Sequence, residues 1–196
     1  PVFEAVGFGH AGVDGFGAAD EDAALVALCL KFGDGALECG VGDAGDVWAA
    51  EGGDGNAARL LLGDANERWP DDAQVMLALG RVAAREGRAG SARTWFERAL
   101  AVDGNLGPAH LERGKLLLAE EDPAALPDAV AALDRASRLM PRSFEAFYSL
   151  GVALLKLGAP ADALPRLVRA LELDPENVHA DALRAEIERL RAELGR

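Results

Sequence analysis

The side chains best suited to catalysis or metal binding in this chain are three histidines and two cysteines: His10, His110, His179, Cys29 and Cys39. A metal centre needs several such ligands on one face, and a catalytic base needs a nucleophile and an orienting acid within reach. None of the histidines has another histidine, a cysteine or an acid at ligand spacing, apart from the surface pair His179 and Asp181. The sequence therefore predicts no metal, no cofactor and no enzymatic activity.

Two glycine-rich stretches near the beginning of the chain look like ligand-binding loops at first sight. "GFGHAG" at residues 7–12 lacks the G-x-G-x-x-G spacing of a dinucleotide-binding loop. "VDGFGAADED" at 13–22 offers carboxylates but not the D-x-[DN]-x-[DN]-G order of a calcium loop. We interpret both as ordinary loops, the second with at most weak cation association.

The charge of the chain is unevenly distributed. Residues 1–55 hold eleven acids against the single base Lys31, together with 13 of the 23 glycines, whereas residues 56–196 hold 22 acids and 19 bases. Such a composition predicts a poorly structured N-terminal segment, or at most a short helix or hairpin. The excess of acids argues against nucleic acid as a partner.

No apolar run approaches the roughly 20 residues that cross a bilayer, since the longest is only Ala23 to Leu30. We therefore expect no membrane insertion. The cytoplasm is the favoured compartment, although a signal sequence could precede Pro1.

The remainder of the chain is built from a repeated pattern. Gly80, Gly114 and Gly151 are 34 and 37 residues apart. An Ala-x3-(Leu/Phe)-x2-Ala signature occurs four times, beginning at Ala58, Ala92, Ala129 and Ala163. Its spacings of four and three place the members on one helical face. Pro70, Pro141 and Pro175 follow three of these stretches, where proline ends a helix. The pattern predicts a unit of two helices and two turns in about 34 residues.

This unit resembles the tetratricopeptide repeat, whose pattern is W-x2-L-G-x2-Y…A-x3-F…P. The best match fills eight motif places: Phe147, Leu150, Gly151, Leu154, Ala163, Leu167, Ala170 and Pro175. The middle repeat departs most, with His110 and Arg113 in the first two places and three extra residues around "EEDPAAL". We expect an enlarged turn or a rotated first helix there.

The resemblance implies an all-α fold, a right-handed α-α superhelix closed by a C-terminal capping helix. The expected divisions are an irregular segment 1–55 and a solenoid 56–196, the latter made of a half repeat 56–72, repeats 73–106, 107–143 and 144–177, and a cap helix 178–194. Leu183, Ile187, Leu190 and Leu194 form the apolar stripe of that cap helix.

In this family the first helices of the repeats line a concave groove, which is the usual peptide-binding face. By register the groove would be lined by Gln74, Leu77, Arg81 and Arg85, then by Leu111, Lys115 and Leu118, then by Tyr148, Val152, Leu155 and Lys156. Four cations against Glu112 and Glu145 favour an acidic peptide, with Tyr148 as its apolar anchor. The same cations could also be ordinary solvated residues.

Some family members hold a C-terminal carboxylate in a clamp of lysine and asparagine side chains. The corresponding places here carry Leu77, Arg81, Glu112, Glu145 and Ser149, so the clamp is not reproduced.

The expected function is protein–protein interaction, as a scaffold or adaptor that binds a peptide or partner segment. One alternative is that the chain is the regulatory portion of a larger enzyme. Another is that it self-associates into a homo-oligomer through the N-terminal edge of the stack.

Deleting residues 1–55 tests the predicted division of the chain. We expect residues 56–196 alone to melt as cooperatively as the full chain, because each repeat is stabilised by stacking on its neighbours. Thermal melting followed by circular dichroism measures this. A large loss of cooperativity on deletion contradicts the prediction that the first segment is an irregular arm.

Overall fold

A computed structural model describes residues 55–120 and 122–195, and the predicted N-terminal segment lies outside the described residues apart from Gly55. The described part holds eight α-helices and no strand: α1 Gly55–Arg68, α2 Ala73–Arg85, α3 Ala89–Val102, α4 Gly107–Ala119, α5 Leu126–Leu139, α6 Phe144–Lys156, α7 Pro160–Leu173 and α8 Ala180–Leu194. A 3₁₀ helix, Pro123–Ala125, lies between α4 and α5. The predicted all-α repeat architecture is confirmed.

The helices begin and end where the local sequence favours it. Asp72 Oδ1 accepts hydrogen bonds from the backbone N–H of Gln74 at 2.8 Å and of Val75 at 3.1 Å, which caps α2. Ser143 Oγ accepts from the N–H of Ala146 at 3.2 Å and caps α6 in the same way. Prolines lie within two residues of the ends of α1, α5 and α7. Each helix pair is therefore delimited by side chains close to it in sequence.

A close approach of glycine to a large side chain joins the two helices within each complete repeat. A Cβ atom added at Gly80 would overlap the ring of Phe96, one at Gly114 would overlap Leu133, and one at Gly151 would overlap Leu167. The three large partners are almost completely buried, and so are the signature alanines of the second helices. The repeated glycine therefore marks the contact at which α2 meets α3, α4 meets α5, and α6 meets α7.

The turn inside the middle repeat differs from the turns inside its neighbours. Gly87 (φ 73°) and Gly158 (φ 80°) adopt the left-handed conformation in the short connections 86–88 and 157–159. The middle repeat has no glycine there, and its connection, residues 120–125, includes the 3₁₀ helix. Since Gly114 packs on Leu133 as its counterparts pack on their partners, the turn is enlarged and the first helix is not rotated.

The cap helix α8 covers the C-terminal end of the repeats. Leu183, Ile187 and Leu190 are buried in one cluster with Leu167 and Ala170 of α7. The predicted stripe is one residue too long, because 44% of Leu194 is exposed in the last turn. The outer side carries ion pairs such as those of Arg189 with Glu186 and Glu193. A helix with one apolar side therefore covers the last of the described repeats.

The N-terminal edge of the described helices includes one strongly exposed leucine, Leu60. Leu60 is 66% exposed on α1, but Leu62, two residues later, is only 7% exposed. Self-association through this edge stays a prediction, with Leu60 as its best candidate contact.

Replacing Gly80 by alanine tests the close contact. The added methyl group overlaps the Phe96 ring, so we expect a loss of about 1–3 kcal/mol in the free energy of unfolding, the usual cost of overpacking. Gly63→Ala is the matched control, because no described atom beyond its chain neighbours and its own helix backbone lies within 4 Å of the added Cβ. That change in a helix interior should stabilise the protein by about 0.5–1 kcal/mol. Urea denaturation of both variants measures the difference, and effects of the same sign would contradict the assignment.

Candidate functional site

The first helices of the three complete repeats are neighbours in space. α4 contacts α2 on one side and α6 on the other. We define the groove face as the side of these three helices that carries Arg81, Glu112, Lys115, Glu145 and Tyr148.

Two of the predicted groove residues do not line an open surface. Leu77 is 1% exposed and Leu111 is 4% exposed. Leu77 packs in the cluster that contains Leu106 at the start of α4, and Leu111 packs in the cluster that contains Ala146 of α6. Each leucine therefore joins one repeat to the next, and their placement in the groove was wrong.

The third residue of the same register, Tyr148, is half-buried and remains partly accessible. Its ring stacks on that of Phe144 with centroids 5.5 Å apart and an interplanar angle of 11°. Both rings also pack against the cluster that contains Leu183 of the cap helix. The tyrosine is thus held in place by neighbours and still presents an aromatic surface.

The other predicted residues keep at least part of their surface in solvent. Gln74, Arg85 and Lys156 are exposed, and Val152 is half-buried. Lys156 Nζ lies 3.5 Å from the backbone oxygen of Leu118, to which it donates a long hydrogen bond. These side chains extend the groove face along α2 and α6.

Arg81 and Lys115 are joined to acidic residues in a chain of ion pairs that crosses all three first helices. Arg81 Nε donates to Glu112 Oε1 at 3.0 Å. Lys115 Nζ lies 3.3 Å from Glu112 Oε2 and donates to Glu145 Oε1 at 2.6 Å. We call this chain, Arg81–Glu112–Lys115–Glu145, the relay. It links α2 to α4 and α4 to α6 by side-chain contacts.

The relay shifts the protonation equilibrium of its lysine. Burial of the Lys115 ammonium lowers its pKa, but the negative charges of Glu112 and Glu145 and their hydrogen bonds outweigh burial. The net effect raises the pKa of Lys115 above its ordinary value of 10.5. A raised pKa in the folded state means that these ion pairs stabilise the fold fully below the unfolded pKa. That stability is lost as the pH rises through the folded pKa.

The groove face is therefore less basic than the list of its cations suggests. Glu112 and Glu145 were recognised in the sequence as the few acids of the face, but their pairing with Arg81 and Lys115 was missed. The spacing of Glu112 and Lys115, three residues apart on one helix, was the available signal. The contacts to α2 and α6 join residues about 30 positions apart, and they depend on how the repeats stack.

The places of the carboxylate clamp are also accounted for. Leu77 and Ser149 are buried, while Arg81, Glu112 and Glu145 belong to the relay. In the folded chain, therefore, the clamp places lie in the interior or in ion pairs between helices.

Outside the groove face, the described residues offer little for chemistry. They include no group of three or more His, Cys, Asp or Glu side chains that could hold a metal ion. His110 Nε2 lies 3.1 Å from the backbone oxygen of Gly104, which ties the start of α4 to the preceding turn. Of the described helices, none has the length and apolar character needed to cross a membrane.

Two shallow clefts lie between helices. One, of about 230 Å³, is formed by α5, α6 and α7 around Leu150 and Leu154. The other, of about 240 Å³, is formed by α1, α2 and α3 around Leu79 and Trp95. Neither is lined by a residue predicted to line the groove, so both are separate from the candidate site.

Replacing Glu112 by glutamine tests the relay. We expect the pKa of Lys115 to fall, because the amide removes a negative charge while the burial of the ammonium remains. The chain has only three lysines, Lys31, Lys115 and Lys156, so an NMR titration of lysine side chains can follow each one, with Lys115→Arg for assignment. Glu188→Gln is the control, since Glu188 pairs with Arg191 on α8. An unchanged Lys115 titration in Glu112→Gln would show that the relay does not form.

Comparison with known proteins agrees with this architecture. The family model described as the tetratricopeptide repeat matches residues 49–105 and 111–178, which is more than half of the chain. No curated protein matches the sequence.

Among solved structures, the first tetratricopeptide domain of Spaghetti (RPAP3), bound to the HSP90 peptide SRMEEVD, is 20% identical with a TM-score of 0.55. The match covers 64% of this chain and 94% of that one. TTC0263, a thermophilic tetratricopeptide protein of Thermus thermophilus, is 22% identical with a TM-score of 0.59, covering 78% and 80%. The OM64 domain of Arabidopsis is 21% identical with a TM-score of 0.54, covering 61% and 94%.

At these identities the solved structures show a shared fold alone, which agrees with the family match. The chain belongs to the tetratricopeptide repeat family.

Proposed function

We propose that this chain is a protein-interaction module, a scaffold or adaptor without catalysis of its own, that binds a segment of a partner protein along the groove face. The observation that carries the proposal is the row of accessible side chains on three adjacent helices: Gln74 on α2, Lys115 on α4 and Tyr148 on α6. An extended or helical segment can contact all three helices at once.

Tyr148 is the proposed anchor. Its stacking on Phe144 restricts the ring before a partner arrives, so little additional conformational entropy is lost on binding. Aromatic side chains that are ordered in this way are frequent among the residues that dominate binding energy. Val152, one turn further along α6, is half-buried and adds apolar surface beside the ring.

Peptide binding is known for a structural neighbour of this chain, the domain solved with the HSP90 peptide SRMEEVD. That observation supports a groove that binds peptides in general. The clamp places differ here, and this supports a partner segment other than a clamped C-terminus. The same groove would serve the chain if it were the regulatory portion of a larger enzyme.

A selection from a library of random heptapeptides displayed on phage tests the proposal. We expect the wild-type chain to enrich a recognisable motif, and Val152→Glu to weaken binding of the enriched peptides by about tenfold or more, the usual effect of altering a central contact. Tyr148→Ala should act in the same direction. Affinities are measured by fluorescence anisotropy.

Val102→Glu is the matched control, because Val102 is 47% exposed at the end of α3, away from the groove face. It should bind the enriched peptides as the wild type does. The proposal fails if the wild type enriches no motif, or if Val102→Glu and Val152→Glu lose binding equally.

A further inference from the structure

We infer that the groove face binds an acidic segment of a partner protein. In the free protein Glu145 binds Lys115, and it therefore competes with the partner carboxylate for this lysine. This inference rests on the proposed function and specifies its partner chemistry. It assigns a role to the exposed half of the relay.

The first step concerns the stripe of α4 that faces the groove. Glu112, Lys115 and Leu118 follow at intervals of three residues, so they share one side of the helix, with a rise of about 4.5 Å between each. Arg81 reaches the first of these positions from α2, and Lys156 reaches the backbone of the third from α6. Cations are therefore present at all three levels of the stripe.

The two halves of the relay differ in their access to solvent. The side chains of Arg81 and Glu112 are 13% and 18% exposed, whereas those of Lys115 and Glu145 are 39% and 52% exposed. An incoming group therefore meets Lys115 and Glu145 first. The inner pair is positioned to hold the helices together, and the outer pair is positioned to exchange.

Exchange at the outer pair costs little. An ammonium group has three N–H donors, and Lys115 uses contacts to two carboxylates, Glu112 and Glu145. Exposed ion pairs contribute little to stability because both charges remain solvated. A partner carboxylate can thus take the place of Glu145, whose own charge then returns to water.

The balance of charge favours an acid over a base as the incoming group. The groove face carries the cations Arg81, Lys115 and Lys156 against the carboxylates of Glu112 and Glu145. A basic segment could pair with Glu145 but would be repelled by Lys115 and Lys156. An acidic segment meets the opposite arrangement and is attracted.

Tyr148 adds a second requirement for the partner. It follows Glu145 by three residues on α6, so the ring lies beside the exchanging carboxylate. The expected segment therefore carries an apolar side chain close to its glutamate or aspartate.

The test repeats the phage selection with four baits: the wild-type chain, Glu145→Gln, Lys115→Gln and Glu172→Gln. Glu172 pairs with Arg169 at 3.0 Å on α7 and is 58% exposed, so its replacement removes a comparable ion pair away from the groove face. The readouts are the acid content of the enriched heptapeptides and their dissociation constants. Thermal melting confirms that each variant is folded.

We expect the wild type to enrich acidic peptides, and Glu145→Gln to bind those same peptides about twofold to fivefold more tightly, the range that an exposed ion pair can contribute. Lys115→Gln should lose the preference for acids, and Glu172→Gln should behave as the wild type does.

Two results overturn the inference and leave the proposed function standing: a groove-dependent motif without excess acid, or Glu145→Gln binding no more tightly than the wild type. Enrichment of no motif by any of the four baits overturns the proposed function, and the inference with it.

Discussion

The close approach of two helices at a glycine is the constraint on which the structure depends. At Gly80, Gly114 and Gly151 the missing side chain lets Phe96, Leu133 and Leu167 lie against the helix backbone. This contact limits how far apart the two helices lie. It has the same form in all three repeats, since an added Cβ would lie 2.3–2.5 Å from the large side chain each time. One repeat cannot bury its remaining apolar side, so the units stack, and the cap helix covers the last of them. The position of every groove residue follows from this stacking.

The sequence was sufficient to predict the helices, their pairing and the cap, because glycine, alanine and proline spacing marks the repeats and an apolar stripe marks the cap helix. It was insufficient to predict which residues of the groove face are exposed. Leu77, Leu111 and Tyr148 occupy the same place in successive repeats, yet the leucines are buried between repeats and the tyrosine is half-buried. The place itself lies at the junction of two repeats, and the next element along the stack decides how much of it is covered. Leu77 and Leu111 are covered by the first helix of the next repeat, whereas Tyr148 packs against the cap helix α8.

The relay could not be predicted from the sequence for a different reason. A helical pattern indicates which residues share a side of one helix, and it thereby pairs Glu112 with Lys115. It does not give the distance from Arg81 to Glu112 or from Lys115 to Glu145, each of which spans two repeats. A change of one or two ångströms in the stacking would separate these charges, because hydrogen-bonded ion pairs depend on short distances. Consequently the same list of cations can describe a basic surface or a nearly neutral one.

The enlarged turn of the middle repeat shows what sets the register of the array. A fixed count of 34 residues from Gly114 leads to Tyr148, and only the three additional residues bring the next close contact to Gly151. The insertion lies in the 120–125 connection, outside the helix contact, so it changes the length of the chain without changing how α4 meets α5. The turns of this architecture can thus differ in length, whereas the helices must keep the spacing of their contact residues. The number of residues between repeats is therefore a poor guide to the repeat boundaries, since the helix contacts recur even where that number changes.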